Sequence, residues 1–331
     1  MARVGGLVVM RERDADGALH RVTFDGGPHG ALTCGHAHAD ALGITVAIGG
    51  VPVVVDPGTG AYVGAARDRY RATRMHATVT VDALDSSEQG TAFRWRTVAS
   101  TRLGGASIEG DAAWACASHD GYARLADPVR HRRILIRLPR RYWIMLDTLT
   151  CAAPHDVTVM FPLAPDARAQ AGHAGRMRVT AGAATLLLAV DGGRTVRVAP
   201  STVAPTYGTE LPSTRLVIDA RIDAPTTLGT VFGDVRESGE LAVEALGPAA
   251  WAVQHAGGRD VVLLGVDAPV AHDGIAFDGT WCALLDDTGD GARRLVAAGM
   301  GTLHAGNARV AVGESAIALR REAGAWQLEE R

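Results

Sequence analysis

Short runs of β-branched and aliphatic residues, separated by Gly, Pro and Asp turns, recur along the chain at 43–48, 51–55, 76–82, 133–138, 142–147, 185–190, 195–198, 215–218 and 261–266. This spacing predicts an all-β protein built as a large antiparallel β-sandwich. No apolar periodicity supports an amphipathic helix longer than about three turns, and residues 67–74 are the one short helical stretch. Ile48-Gly49-Gly50-Val51 predicts a tight hairpin, because a two-residue Gly-Gly loop supplies the positive φ that primed turns require. Within that hairpin Leu42, Ile44, Val46 and Ile48 share one face, and Gly43, Thr45 and Ala47 the other. Around 237–248 the pattern becomes Gly- and Glu-containing and less regular. The chain is therefore divided into a sandwich at 1–236 and a smaller C-terminal β unit at 237–331, regular again from Trp251.

Composition adds exclusions. The 331 residues are 47% hydrophobic, enough for a buried core, and a net charge of −3 points to no nucleic acid. All 33 basic residues are Arg, which excludes lysine chemistry and suits bidentate binding of carboxylates or sulfates, although codon bias explains the same fact. Cys34, Cys116, Cys151 and Cys282 lack the spacing of a zinc ribbon or a disulfide framework. No apolar run is long enough to span a membrane. The first residues run directly into a strand-like segment without a signal-peptide pattern, so the chain is expected to have lost an upstream part.

The candidate chemistry lies between Gly35 and Asp82. His36 and His38 form an HxH pair, expected to project to one side of an extended segment. Asp56 ends an apolar strand before Pro57-Gly58, and His76 is placed on the polar face of a strand with Thr78 and Thr80. With 12 histidines, about 0.4 HxH pairs arise by chance, so the pair alone is weak. Two imidazoles and a carboxylate with an open position nevertheless suit Zn²⁺, the alternative being a purely stabilising set. Simple hairpin register sets a condition, because it puts Asp56 opposite Gly43. A straight chain from Gly43 back to His38 would span roughly 16 Å, whereas ligands to one ion need bonds of about 2 Å. The segment Ala39-Asp40-Ala41 must bend back.

Rival patterns fail on particular residues. A cupin barrel, and with it a metal-dependent oxidoreductase or isomerase, needs a Glu soon after HxH; Ala41-Leu42-Gly43-Ile44 stands there. The glycines of 58–64 are misplaced for a dinucleotide loop, and no βαβ unit follows. Residues 286–291 imitate an EF-hand, but Ala297 occupies the position of the bidentate Glu. Arg67, Arg69, Arg71 and Arg74, interleaved with Tyr62 and Tyr70, form either a solvated loop or a face for an acidic ligand, with Arg on carboxylates and Tyr on sugar rings. Arg130-His131-Arg132-Arg133 is expected to be a structural edge or surface feature.

The run from Gly35 to Leu42, then Gly49 to Thr59, Tyr70 to Asp82, Ser87-Glu88-Gln89 and Phe93-Arg94-Trp95, resembles the heparinase II/III-like family. Weaker agreement continues through His131-Arg132-Arg133 and Ser201 to Tyr207-Gly208, so the resemblance covers roughly residues 5–235. It implies the β-sandwich part of a polysaccharide lyase acting on uronic-acid polymers such as heparin, heparan sulfate or alginate, a part that typically accompanies an N-terminal α/α toroid. It further implies that His38, Asp56 and His76 hold a zinc ion and that His36 is the catalytic candidate in the cleft. Such members are usually periplasmic or secreted. Several features depart from the family pattern: the toroid with its Tyr and its Asn or His, Ala77 where Asn is common, and Phe161-Pro162-Leu163 where another His is frequent.

The expected protein is thus the zinc-binding sandwich half of a uronate lyase, with Arg67, Tyr70, Arg71 and Arg74 on its substrate side. It is expected to be inactive without a toroid, supplied separately or missing through truncation, gene splitting or a wrong start. The alternative is a non-catalytic module or structural sandwich that binds acidic polysaccharide.

Overall fold

The computed structural model of the chain describes residues 2–14, 16–109, 112–138, 142–286, 293–306, 308–313, 316–322 and 325–329. At its centre is an eight-stranded sheet in the order Arg168–Ala171, Arg176–Ala181, Ala184–Val190, Thr226–Asp234, Tyr142–Thr150, Arg130–Leu138, Ala112–His119, Thr101–Glu109. Its ladders are antiparallel. Successive side chains point to opposite faces, so Trp143, Met145 and Phe232 enter one core while Ile144, Leu146 and Val231 enter another. Burial on both faces explains why 134–136 and 142–146 read as unbroken apolar runs.

The first core lies against two further sheets. One is a five-stranded meander, Ala2–Val4, Leu7–Arg13, Leu19–Asp25, Ile44–Ile48 and Val51–Val54; the other pairs Val196–Thr206, Thr209–Ile222, His155–Pro162 and Val79–Val81. This is the all-β sandwich expected from the spacing. Residues from Ala242 onward add two more layers. A seven-stranded sheet packs Trp251, Val262 and Trp281 on the second face of the central sheet, and a four-stranded sheet closes its far side over Phe277 and Leu303. The seven-stranded sheet and the central sheet therefore share the second core, while the four-stranded sheet packs on a third that belongs to the C-terminal residues alone.

Local geometry departs from the sequence reading where the site lies. Gly49 and Gly50 have φ of 58° and 82°, as the hairpin requires. The simple register does not hold: Ile48 pairs with Val51 and Ala47 with Pro52, but Val46 pairs with Val54, so a bulge adds one residue to the return strand. The expected strand at 76–82 is confined to Val79–Val81. His76 instead ends a 3₁₀ turn, Thr73–Met75, which follows the helix Gly64–Arg71. Extended Ala72 separates the two, so residues 67–74 are not one continuous helix. The acidic turn beyond Asp286 lies outside the described residues.

Candidate functional site

The bend that the metal hypothesis demands is present. Leu42 takes a φ of 62° and Gly43 N–H donates to Asp40 O at 2.8 Å, turning the chain back before it enters the Ile44–Ile48 strand. Ala39 N–H is bonded to Arg71 O, which fixes the incoming side of the turn. As a result His38, Asp56 and His76 each offer a ligand atom, all within 4.8 Å of one another.

Each of the three is held by its neighbours. Asp56 Oδ2 lies 3.0 Å from His76 Nδ1, and its Oδ1 accepts from Gly58 N–H at 2.8 Å. Gly58 has φ of 75°, and a Cβ there would stand 2.0 Å from Ala204 O, so only glycine fits this turn. His76 is buried, with Nε2 3.0 Å from Tyr70 O. That carbonyl keeps a proton on Nε2 and aims Nδ1 at Asp56, the usual way an outer partner orients a metal-binding imidazole. Partly buried His38 places Nε2 3.3 Å from Thr59 Oγ1, and its ring centroid is 5.2 Å from that of His76.

The charges suit a cation. Desolvation pushes His38 down to about 3, helped by His76 and the nearby arginines, so its imidazole is neutral and able to ligate. Desolvation would raise Asp56, but His76 and the Gly58 N–H outweigh it and hold the carboxyl at about 2. Burial works against a charged His76, yet Asp56 and Asp40 reverse this and raise its pKa. Burial raises Asp40 to about 7, and Asp25 is raised in the same way; with Thr23 and Thr45 they line a cavity of about 150 Å³ that reaches Asp56 and His76. The donor set, one carboxylate and two imidazoles backed by two further carboxyls, fits a divalent transition metal. Asp25 and Asp40 escaped the sequence reading because only the bend brings them beside His76.

His36 goes elsewhere. Residues 35 and 36 form a turn rather than a strand, so the HxH pair does not share one face. His36 is exposed, with its ring edge-on to Tyr62 at 5.4 Å and to Phe93 at 6.0 Å. Tyr62 stacks on Tyr207 at 4.7 Å, and all three aromatic rings are exposed beside His36. Sequence reasoning did not single out Tyr207 and Phe93 as site residues.

The arginine cluster is largely internal. Arg67 is buried and donates to Gly35 O and Ala92 O. Arg71 donates to Ala37 O, Thr91 O and Ala92 O and lies 4.1 Å over the Trp95 ring. Buried Tyr70 reaches Thr202 Oγ1. The two arginines brace the loop that carries His36 and His38, Tyr70 packs on Met75 and Ala204, and none of the three side chains faces solvent. Of the four residues assigned to substrate, Arg74 alone is exposed. His131 and Arg133 also differ from expectation: both are fully buried and form a network with Asp147, not a surface feature.

An antiparallel sandwich with a His/Asp/His centre and an aromatic face defines the class of protein. The chain belongs to the heparinase II/III-like family: the model of its C-terminal domain matches residues 1–231. The structure is similar to heparan sulfate lyase HepC from Pedobacter heparinus, with a TM-score of 0.64 at 17% identity, covering 78% of this chain and 41% of that one. It is also similar to the heparinase III BT4657 gene product, with a TM-score of 0.62 at 16% identity over 79% of this chain and 41% of that one. The chain thus spans about two fifths of the length of these proteins. No curated protein sequence matches it.

Proposed function

We propose that this chain is the β-sandwich part of a polysaccharide lyase that cleaves uronic-acid polymers by β-elimination. We further propose that it binds one zinc ion at His38, Asp56 and His76. The observation that carries this reading is the convergence of those three side chains, with exposed His36 two residues before His38 in sequence, in a chain of this family. In the reaction a base removes the proton next to the uronate carboxylate. The bond to the glycosidic oxygen breaks, a carbon–carbon double bond forms in the ring, and the leaving oxygen takes up a proton. Exposed His36 serves proton transfer or carboxylate neutralisation, steadied by Tyr62 and Phe93. The Tyr62–Tyr207 stack offers apolar ring faces to sugars, and Arg74 a charge for carboxylate or sulfate. A zinc ion, when bound, supplies fixed positive charge and ties the His38 loop to the Asp56 and His76 turns.

The complementary catalytic groups belong to an α/α toroid, so the 331-residue chain by itself is expected to give little or no turnover. Mixing it with uronic-acid polymers and following unsaturated-uronate absorbance tests this; a clear increase from the purified chain would refute it. Zinc is tested by elemental analysis of wild type against His38→Ala, and equal zinc in both would remove the site. One observation favours a second reading, a module that only binds acidic polysaccharide. Among the described residues of the aromatic face, His36 is the sole histidine in contact with these exposed rings. Retained polysaccharide affinity with no turnover after a toroid is supplied would select that reading.

A further inference from the structure

A second cluster of metal-ligating groups lies apart from the first. Asp14, His20 and Glu237 each offer a ligand atom, all within 4.8 Å of one another. His20 occupies an inward position of the Leu19–Asp25 strand, in line with core residues Val22 and Phe24. Its ring is 2% exposed, yet neither Nδ1 nor Nε2 has a hydrogen-bond partner among the described residues. Leaving a buried polar group unpaired is destabilising, so such a group calls for a partner. Nε2 faces Asp14 Oδ2 at 3.5 Å, longer than the roughly 2.7–3.2 Å of an ordinary N–H···O bond.

The carboxylates arrive from two directions. Asp14 follows the Leu7–Arg13 strand, and its Oδ1 accepts from Ala18 N–H at 2.6 Å, which fixes the side chain and turns Oδ2 towards His20. Glu237 sits in the short helix Val235–Ser238, directly after the Thr226–Asp234 strand of the central sheet. The other charges nearby are accounted for. Arg236 approaches Asp14 to 3.6 Å, but it is half-exposed and its main partner is Asp234, at 2.7 Å. Glu12, opposite His20 in the ladder, is paired with Arg137.

We propose that Asp14, His20 and Glu237 form a second site for a divalent transition metal of the zinc class, which staples the five-stranded sheet to the end of the central sheet. One imidazole and two carboxylates are a donor set such ions accept, and a metal would satisfy the otherwise unpaired His20 ring. The site shares no residue with the His38 centre, so the two can be titrated separately.

The test uses the full chain, stripped with chelator and dialysed against Zn²⁺ alone, with zinc counted by elemental analysis and folding checked by circular dichroism. His38→Ala is expected to retain one zinc, and the His38→Ala/His20→Ala chain none. Zinc should raise the melting temperature of His38→Ala and leave that of the double variant unchanged. Should His20→Ala not fold, Glu237→Gln in the His38→Ala background is the second probe, expected to bind zinc at least about tenfold more weakly. Equal zinc in folded His38→Ala and the double variant would overturn the proposal, as would unaltered affinity in the Glu237→Gln chain. Failure of the His38 centre is read independently, from wild type against His38→Ala.

Discussion

Arg133 donates from Nη1 to the carbonyl oxygen of Leu42 at 2.8 Å, joining the central sheet to the bend that brings His38 round to Asp56. The same Nη1 donates to Ala77 O at 2.7 Å, immediately after His76. Behind it, Asp147 pairs with Nε and Nη2 at 2.7 and 3.0 Å, with the whole group buried. One guanidinium therefore fixes the two segments that present His38 and His76. Arg133→Met would leave Asp147 in the core with only the imidazole of His131 as partner and no cation to balance its charge, a loss of about 3–5 kcal/mol. Urea denaturation measures the loss. Zinc titration of the folded fraction should also show weakened binding; unchanged affinity would mean that the loops hold their shape without Arg133.

Gly58→Ala tests the Asp56 turn. The substitution meets a positive φ and a carbonyl in the same place, a combination expected to cost about 1–3 kcal/mol. Zinc content should fall along with the denaturation midpoint, because Asp56 Oδ1 is held by the N–H of residue 58. A variant with normal zinc and a normal midpoint would show that the Ala204 strand yields readily.

The fold was legible in the sequence because period-2 alternation and Gly/Pro turns report strands directly, and the buried central sheet announced itself in 134–136 and 142–146. The convergence of His38, Asp56 and His76 was legible only as a condition. Its fulfilment depends on a positive φ at Leu42 and on Arg133, and neither has a local signature. The error about Arg67, Tyr70 and Arg71 has a physical source: a charged helix reads as solvated, but here backbone carbonyls of 35, 37, 91 and 92 take the place of water around the guanidinium groups. His76 was misplaced for a related reason, since a 3₁₀ turn of three residues carries no periodicity.

Acid should unfold the protein from below about pH 6. Gly121 N–H donates to His119, His119 Nε2 lies 3.1 Å from His131 Nδ1, and His131 Nε2 lies 2.7 Å from Asp147. This chain is satisfied with both imidazoles neutral. Burial lowers both pKa values, and it lowers His29 to about 4. The unfolded chain takes up these protons near pH 6.5 while the folded chain does not. Stability is therefore full above that pH and falls as the pH drops, by about 1.4 kcal/mol per pH unit for each such histidine. Melting temperature against pH measures the slope, and His119→Gln should reduce it.

His36→Ala and Tyr207→Ala should separate binding from folding. Both side chains are exposed, so each substitution is expected to alter stability by no more than about 0.5 kcal/mol. Affinity electrophoresis in gels containing heparan sulfate or alginate should show weaker retardation for Tyr207→Ala. His36→Ala should act mainly on turnover in a toroid-completed enzyme. Unchanged retardation and turnover in both would detach the aromatic face from the polysaccharide.

Zinc binding at the His38 centre should release a proton from His76. Without metal, Asp56 and Asp40 favour the imidazolium and raise the His76 pKa above its ordinary 6.5, whereas ligation needs the Nδ1 lone pair. Neutral His38 and ionised Asp56, at about 3 and about 2, contribute no proton near neutrality. Between pH 6.5 and the raised His76 value, affinity should climb with pH by about tenfold per unit for the His76 proton, and more steeply where the nearby cation also drives the proton from Asp40, which burial raises to about 7. Calorimetry of the His20→Ala chain, run in two buffers of different ionisation enthalpy, counts that proton at a single site. A count near zero at pH 6.5 would place the ligating atom elsewhere than His76 Nδ1.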